Sequence, residues 1–145
     1  MARNEAFVAA SPQAVFEELS DPTGYQHWVV GSREVHQADT TWPTPGTAFA
    51  YTAGIPPLRI RDRTIVQEAS PPARLVLRIR ARPLPDARVT FELEPDDGGT
   101  RVTMIEDVAH PVLNLLAGPL GHLAVRLRNR ETLRRLKARV ERTAH

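Results

Sequence analysis

Two carboxylates fall at strand positions that otherwise hold apolar residues. Glu106 lies on the apolar side of a segment that ends near residue 109, and Asp62 lies on the same side as Ile60 in an earlier segment. An inward carboxylate is costly unless it is paired or hydrated, and its pKa can move accordingly. Two such groups in one cavity could act as general acid and base in an aldol-type cyclisation or a dehydration. Asp62 and Glu106 are the candidate catalytic residues, and the alternative is that each anchors an arginine such as Arg126.

Aromatic side chains form a second group with recognition chemistry. Trp28, Trp42, Phe49 and Tyr51 could bind the face of a flat ligand, or they could be ordinary core residues. Tyr51 and Trp28 each carry a polar group that needs a partner when it is buried. If the protein is an enzyme, Tyr51 or His36 could orient a substrate carbonyl.

Several site chemistries have no support in this sequence. The chain has no cysteine, which excludes disulfides, thiolate nucleophiles and thiolate metal sites. Its five histidines do not have metal-ligand spacing. A nucleophile elbow, a phosphate-binding glycine loop and a dinucleotide fingerprint are all lacking, so hydrolase, kinase and dehydrogenase functions lose support. We expect no metal and no cofactor.

The composition predicts one folded domain spanning residues 1–145. Hydrophobic residues make up 41% of the 145 residues and charged residues 25%, values typical of globular proteins. The apolar runs are too short for a membrane span, and the N-terminus lacks a signal-peptide pattern. We therefore expect a cytoplasmic protein without integral membrane association.

Basic residues are concentrated near the C-terminus. Residues 121–145 contain eight Lys and Arg but only two Glu, although the net charge of the chain is only +2. This helix could contact a membrane surface or a nucleic acid. The arginines fall on several helix faces without interleaved aromatics, which favours a solvated surface. Arginine-rich coding is also typical of a high-GC, bacterial genome, and we expect no nucleic-acid partner.

The order of elements follows from periodicity and from proline and glycine punctuation. A short strand over 4–10 precedes a helix that Ser11 and Pro12 open and that runs through Leu19, and residues 25–29 form a second, single-turn helix. Six segments with a period of two then predict antiparallel strands. These segments are 33–38, 47–53, 58–69, 73–82, 87–95 and 100–109. In the fourth of them, Arg74, Arg78, Arg80 and Arg82 alternate with apolar residues and are expected on the solvent side.

The last two strands form a hairpin whose turn predicts its register. Residues 96–99, Asp-Asp-Gly-Gly, tolerate positive φ angles. If Pro95 faces Thr100, opposite charges and apolar residues pair consistently across the hairpin. The predicted pairs are Glu94 with Arg101, Glu92 with Thr103, Arg88 with Asp107, Leu93 with Val102, Phe91 with Met104, and Val89 with Glu106. Phe91 and Met104 should face the long helix, with Glu92 and Thr103 outside.

A C-terminal helix over about 120–142 carries two leucine stripes. Leu116, Leu120, Leu123 and Leu127 form the first, and Leu133, Leu136 and Val140 form the second, displaced around the helix. Either the helix breaks near Asn129, or its two halves bury different faces. We expect Leu123 and Leu127 to pack on the concave side of the sheet.

This order resembles the SRPBCC superfamily of START-like proteins, which includes polyketide cyclases/dehydrases and lipid transport proteins. The similar stretches are Val8-Ala9-Ala10-Ser11-Pro12-Gln13-Ala14-Val15-Phe16, Leu19, Asp21-Pro22, Tyr25 to Trp28, Pro45-Gly46-Thr47, Pro71-Pro72-Ala73-Arg74-Leu75, Gly98-Gly99-Thr100-Arg101-Val102-Thr103, and Arg128-Asn129-Arg130 to Leu136. The resemblance implies an α+β helix-grip fold: a curved seven-stranded antiparallel sheet wrapped around a long C-terminal helix, with two short helices after strand 1. It also implies an apolar cavity between sheet and helix.

The leading hypothesis for function is binding of a small hydrophobic ligand, such as a lipid or polyketide, without a cofactor. The residues expected to line the cavity are Trp28, Trp42, Tyr51, Ile60, Leu77, Phe91, Met104, Glu106, Leu123 and Leu127. The alternative is a polyketide cyclase or dehydratase that uses the inward carboxylates. A third possibility, an interaction module, would show a filled cavity and a large exposed apolar patch. The sequence leaves monomer and homodimer open.

Overall fold

The described residues form a seven-stranded antiparallel sheet and three α-helices. The computed structural model describes residues 1–54, 59–82, 84–108 and 111–143, and only the backbone of Leu84 and of residues 111–119. The strands are β1 Ala2–Val8, β2 Ser32–His36, β3 Ala48–Ala53, β4 Ile60–Ser70, β5 Arg74–Ala81, β6 Leu84–Asp96 and β7 Gly99–Val108. The helices are α1 Pro12–Leu19, α2 Tyr25–Trp28 and α3 Pro111–Thr143. The strand order is β1-β7-β6-β5-β4-β3-β2, and α3 contacts β1, β7 and α2. This arrangement confirms the α+β helix-grip prediction; the predicted ends of two strands, at residues 58 and 109, lie outside the described residues.

Local signals explain where the short helices begin. The Ser11 hydroxyl accepts a hydrogen bond from the amide of Ala14 at 3.1 Å, and Pro12 occupies the first turn of α1. This cap satisfies one of the amides that a helix leaves unpaired at its start. A single 3-10 turn over Pro22–Gly24 then leads into α2. Both short helices therefore lie where the sequence predicts them.

The β6–β7 hairpin has the predicted register. Pro95 faces Thr100, Phe91 faces Met104, and every other predicted pair is also found. Positive φ angles of 41° at Asp97 and 85° at Gly98 form the turn between the strands. Phe91 and Met104 are buried, as predicted. Thr103 alternates with them on the outer side but is only 7% exposed, because β7 lies between β1 and β6 and its short side chains are flanked on both sides.

Strand β5 departs from the predicted alternation at Arg80. The pairing with β6 shifts register between Ile79 and Ala81. The Arg80 guanidinium bonds to Asp62, whose neighbour across the strands is the buried Tyr51. Because a bulge changes the direction of side chains locally, the Arg80 side chain bonds to Asp62 instead of pointing to solvent with the other arginines of β5. The expectation of a solvent-facing Arg80 is therefore wrong.

The two leucine stripes of α3 differ in burial: one is buried and the other is exposed. The helix is continuous from Pro111 to Thr143, so it does not break near Asn129. The second stripe is buried: Leu133, Leu136 and Val140 are at most 2% exposed. Leu123 and Leu127 are 51% and 54% exposed, so the prediction that they pack on the concave side is wrong.

One continuous face of α3 explains this result. The residues that turn toward the sheet recur at helical spacing, in the order Val125, Asn129, Thr132, Leu136 and Val140; the first is half-buried and the others are buried. At about 100° per residue, Leu123 and Leu127 project from the opposite side of the same helix. An unbroken helix cannot turn both stripes toward one sheet. The side chain of Leu116 lies outside the described residues.

Candidate ligand-binding site

Asp62 on β4 is the first of the two inward carboxylates. It faces Tyr51 across β3 and β4, and its side chain is 4% exposed. It accepts hydrogen bonds from Arg80 Nε at 2.5 Å and from the backbone amides of Arg82 and Arg63, both at 2.9 Å. Burial alone would raise the pKa of Asp62, but these hydrogen bonds and the Arg80 charge outweigh it and lower the pKa. Asp62 is therefore ionised at neutral pH and held by an arginine.

Tyr51 adds a phenol to the same group. Its hydroxyl donates a hydrogen bond to the backbone oxygen of Arg80 at 2.5 Å. Burial raises the pKa of Tyr51 to about 12, and the negative charge of Asp62 acts in the same direction, although the charges of Arg128 and Arg80 oppose it. Tyr51 is consequently neutral and a hydrogen-bond donor under ordinary conditions.

Glu106 on β7 is the second inward carboxylate, and it connects the sheet to α3. Its side chain is 9% exposed and accepts hydrogen bonds from Arg128 Nη2 at 2.9 Å and from Asn129 Nδ2 at 3.0 Å. Asn129 is fully buried, so its amide is committed to this contact. Arg126, which the sequence suggested as a partner, instead accepts a hydrogen bond from Asn4 through its backbone oxygen. The alternative of a carboxylate that anchors an arginine thus describes both Glu106 and Asp62.

The two arginines retain donors that the described residues do not use. Arg128 bonds to Glu106 and Asn129 only through Nη2, and its side chain is 46% exposed. Arg80 bonds to Asp62 only through Nε, and its side chain is 33% exposed. A guanidinium has five N–H donors, so several remain for another acceptor. Both carboxylates already accept hydrogen bonds from these arginines, whereas guanidinium N–H groups remain unbonded within the described part of the chain. Such a cluster could bind a ligand that carries acceptor oxygens.

The aromatic side chains are mostly core residues. Trp42 and Phe49 are buried, with ring centroids 4.8 Å apart, and both pack on Tyr25, which is not one of the four predicted recognition residues. Trp42 Nε1 and the Tyr25 hydroxyl each donate to the backbone oxygen of Leu19, at 3.1 Å and 2.7 Å. This shared acceptor fixes their orientation, so core packing is the better interpretation of Trp42.

Trp28 differs from Trp42 in the hydrogen bonding of its indole nitrogen. It is 1% exposed and lies 4.5 Å from Tyr25 and 5.9 Å from Phe91 between ring centroids. Its Nε1 has no hydrogen-bond partner among the described residues. A buried donor without a partner is costly, so Trp28 carries polar capacity that packing does not explain.

The remaining predicted lining residues separate into two groups. Leu77, Phe91 and Met104 are buried on the inner face, and Ile60 is half-buried. Leu123 and Leu127 project from the outer side of α3, so they cannot line a space between sheet and helix.

His36, the other candidate for orienting a carbonyl, lies on the face of the sheet opposite Tyr51. It bonds to Thr52 at 3.1 Å, and both residues alternate with inward residues.

Charged side chains line two of the depressions that described residues form. One, of about 450 Å³, lies on the outer face of the sheet; the other, of about 330 Å³, lies between α2 and α3. Their charged lining residues are Arg78, Asp86, Arg88 and Asp107 in the first, and Arg134, Arg135, Arg139 and Arg142 in the second. Neither is the apolar cavity that the resemblance implies, so that cavity stays a prediction.

Within the described ranges, no three His, Asp or Glu side chains group as metal ligands, and no helix is long and apolar enough to cross a membrane.

A family model for polyketide cyclase/dehydrase and lipid transport matches residues 2–141, which is nearly the whole chain. The chain belongs to this family. The family match confirms the resemblance to SRPBCC proteins, and its description covers both an enzymatic activity and lipid transport. No protein with a curated description matches the sequence.

Solved structures of low sequence identity share the fold. A protein from Arthrobacter aurescens is 18% identical, with a TM-score of 0.77 and coverage of 97% of this chain and 85% of that protein. TTHA0849 from Thermus thermophilus is 17% identical, with a TM-score of 0.75 and coverage of 99% of both chains. CV1439 from Chromobacterium violaceum is 17% identical, with a TM-score of 0.73 and coverage of 96% of both. At these identities the likeness establishes the fold alone.

Proposed function

We propose that this family member binds and carries a small hydrophobic ligand, a lipid or polyketide, between the inner face of the sheet and α3 in the cytoplasm. The apolar part of the ligand contacts Leu77, Phe91 and Met104, and its oxygen-bearing end meets the unused donors of Arg80 and Arg128. Apolar walls with a few converging polar groups are the usual composition of such sites. The family description, which includes lipid transport, supports this class of ligand.

The observation that carries the proposal is the state of the inward carboxylates. Acid-base catalysis needs a carboxyl that can exchange a proton with the substrate near neutral pH. Asp62 is held by Arg80 with a lowered pKa, and Glu106 is bound by Arg128 and Asn129. These contacts favour anchoring over proton transfer, and they favour a carrier over a cyclase.

The experiment on the carrier is native mass spectrometry of protein purified from its own host. We expect a retained ligand with a long apolar part, which is released chemically unchanged. A ligand that wild-type protein converts and that Glu106→Gln protein leaves unconverted would overturn the proposal. Glu106 would then be the catalytic residue of a cyclase or dehydratase, the enzymatic function in the family description.

The polar end of the ligand can be tested with oleic acid and its methyl ester as probes. We expect Arg128→Gln and Arg80→Gln to weaken oleate binding by roughly tenfold or more, the usual size of a charge-assisted hydrogen bond, and to change binding of the ester less. Arg135→Gln is the matched control, because Arg135 lies on the same helix and is exposed. Equal losses for acid and ester would contradict the role assigned to the two guanidinium groups.

A further inference from the structure

Three exposed leucines form a ridge on the outer side of α3. Leu120, Leu123 and Leu127 are 81%, 51% and 54% exposed. Their spacing of three and four residues aligns them along one helix face, opposite the face that packs on the sheet. Single exposed leucines are ordinary, but an aligned group is typical of an interaction surface. We call these three residues the leucine ridge.

The charge around the leucine ridge is predominantly basic, because the nearest carboxylate on this helix, Glu131 one turn beyond Leu127, is paired with Arg134. The sequence contains no Asp or Glu between Asp107 and Glu131. Arg126 and Arg130 fall beside the ridge at helical spacing, and both are exposed. Neither forms an ion pair with any described residue, whereas Arg128 is paired with Glu106 on the other flank. The surface therefore combines apolar protrusions with two cations whose charge is not neutralised nearby.

This charge pattern decides between occupants. In a pair of identical ridges, the four guanidiniums of Arg126 and Arg130 from two copies would approach one another, and the nearby carboxylate of Glu131 is already paired with Arg134, which makes the pairing unfavourable. The ridge is also convex, so a rigid partner would need a matching groove. A fluid surface of anionic lipids needs no such groove and supplies phosphates beside an apolar layer.

We propose that the leucine ridge, with Arg126 and Arg130, docks this protein on an anionic lipid surface. The leucine side chains enter the boundary between headgroups and acyl chains, while the long arginine side chains extend to the lipid phosphates. This docking goes beyond the proposed carrier function and does not depend on it. It would bring the carrier to the place where an apolar ligand is most abundant.

The test is flotation of the full chain with vesicles of phosphatidylcholine alone or with about 30% phosphatidylglycerol. We expect binding to the anionic vesicles that falls as salt increases, since screening weakens contacts with lipid charge. Leu120→Ser/Leu123→Ser should abolish the binding. Arg126→Gln/Arg130→Gln should weaken it about 30-fold, from ~1 kcal/mol for each basic residue near the surface. Circular dichroism checks that each variant is folded.

The matched control is Arg61→Gln/Arg63→Gln, which removes the same charge from exposed positions on β4. We expect it to bind vesicles like wild type. Equal binding to neutral and anionic vesicles, no vesicle binding, or an undiminished ridge variant would each overturn the proposal. A wild-type dimer that the ridge variant converts to monomer would overturn it in favour of self-association. Ligand retention in mass spectrometry tests the carrier separately, because the leucine ridge lies outside the inner face.

Discussion

The two halves of α3 carry similar residues but have different surroundings. In the C-terminal half, Leu133, Leu136 and Val140 are at most 2% exposed, whereas in the N-terminal half Leu120 is 81% exposed and Leu127 is 54% exposed. Both stripes have helical spacing, so spacing alone does not distinguish them. The comparison shows that a leucine stripe reports an apolar helix face but not which partner covers it.

The inner face of α3 differs between the halves in a way that bears on function. Toward the sheet, the C-terminal half turns leucine and valine side chains that are fully buried. The residues of the N-terminal half that face the sheet are Gly121, His122 and Val125, and all three are half-buried. Gly121 and Val125 fill less volume than leucines do. The N-terminal half is therefore the part of the helix that would leave room for a ligand beside the sheet.

The largest expected effect is that of truncating the buried stripe. Leu136→Ala should lower the free energy of unfolding by about 2–5 kcal/mol, because Leu136 is fully buried and its removal leaves a cavity. Urea unfolding followed by circular dichroism measures this loss. A cost below about 0.5 kcal/mol would mean that the C-terminal half does not hold the helix on the sheet.

The junction between the halves should give an intermediate effect. Asn129→Ala removes the buried donor that bonds to Glu106 and should cost about 1–3 kcal/mol, since the buried carboxylate loses one of its partners. Thermal unfolding compares this variant with Arg130→Gln, the exposed neighbour, which should remain near wild type. Equal stability of the two variants would show that Glu106 does not connect β7 to α3.

Asp62 lies on the sheet, and its contribution to the free energy of unfolding depends on pH, which distinguishes it from the packing of α3. Its folded pKa lies below the unfolded value of about 3.9, so its contribution to stability is present above that pH and is lost as pH falls through the folded pKa. Asp62→Asn should thus be less stable than wild type at pH 7, and the difference should shrink below about pH 4. Urea unfolding at pH 7, 4 and 3 measures this.

The control for the pH series is Glu94→Gln, because Glu94 forms an exposed ion pair with Arg101. Exposed pairs are worth little, so this variant should follow wild type at pH 7. A constant gap between Asp62→Asn and wild type down to pH 3 would contradict the assignment of an ionised, arginine-bound Asp62.

Sequence reasoning was most successful where local chemistry determines the structure. The turn at 96–99 fixes the register of β6 and β7, so it correctly placed Glu106 opposite Val89. Local patterns do not reveal which residue on another element meets that carboxylate, so Arg128 and Asn129 were missed as its partners. Arg80 was missed because the register shift at Ile79 and Ala81 interrupts the alternation on which its placement depended. The inner and outer faces of α3 depend on packing against the sheet, which periodicity does not encode.

The smallest expected effect completes the comparison of the two halves. Leu127→Ala should change the free energy of unfolding by less than about 0.5 kcal/mol, because half of the side chain already contacts water in the folded protein. Leu127 and Leu136 lie on opposite sides of α3 and nine residues apart, which is about 13 Å along a helix. The double variant should therefore show the sum of the two single costs in urea unfolding. A Leu127→Ala cost similar to that of Leu136→Ala, or a double variant that departs from additivity by more than about 0.5 kcal/mol, would mean that the leucine ridge is covered in solution by the protein itself.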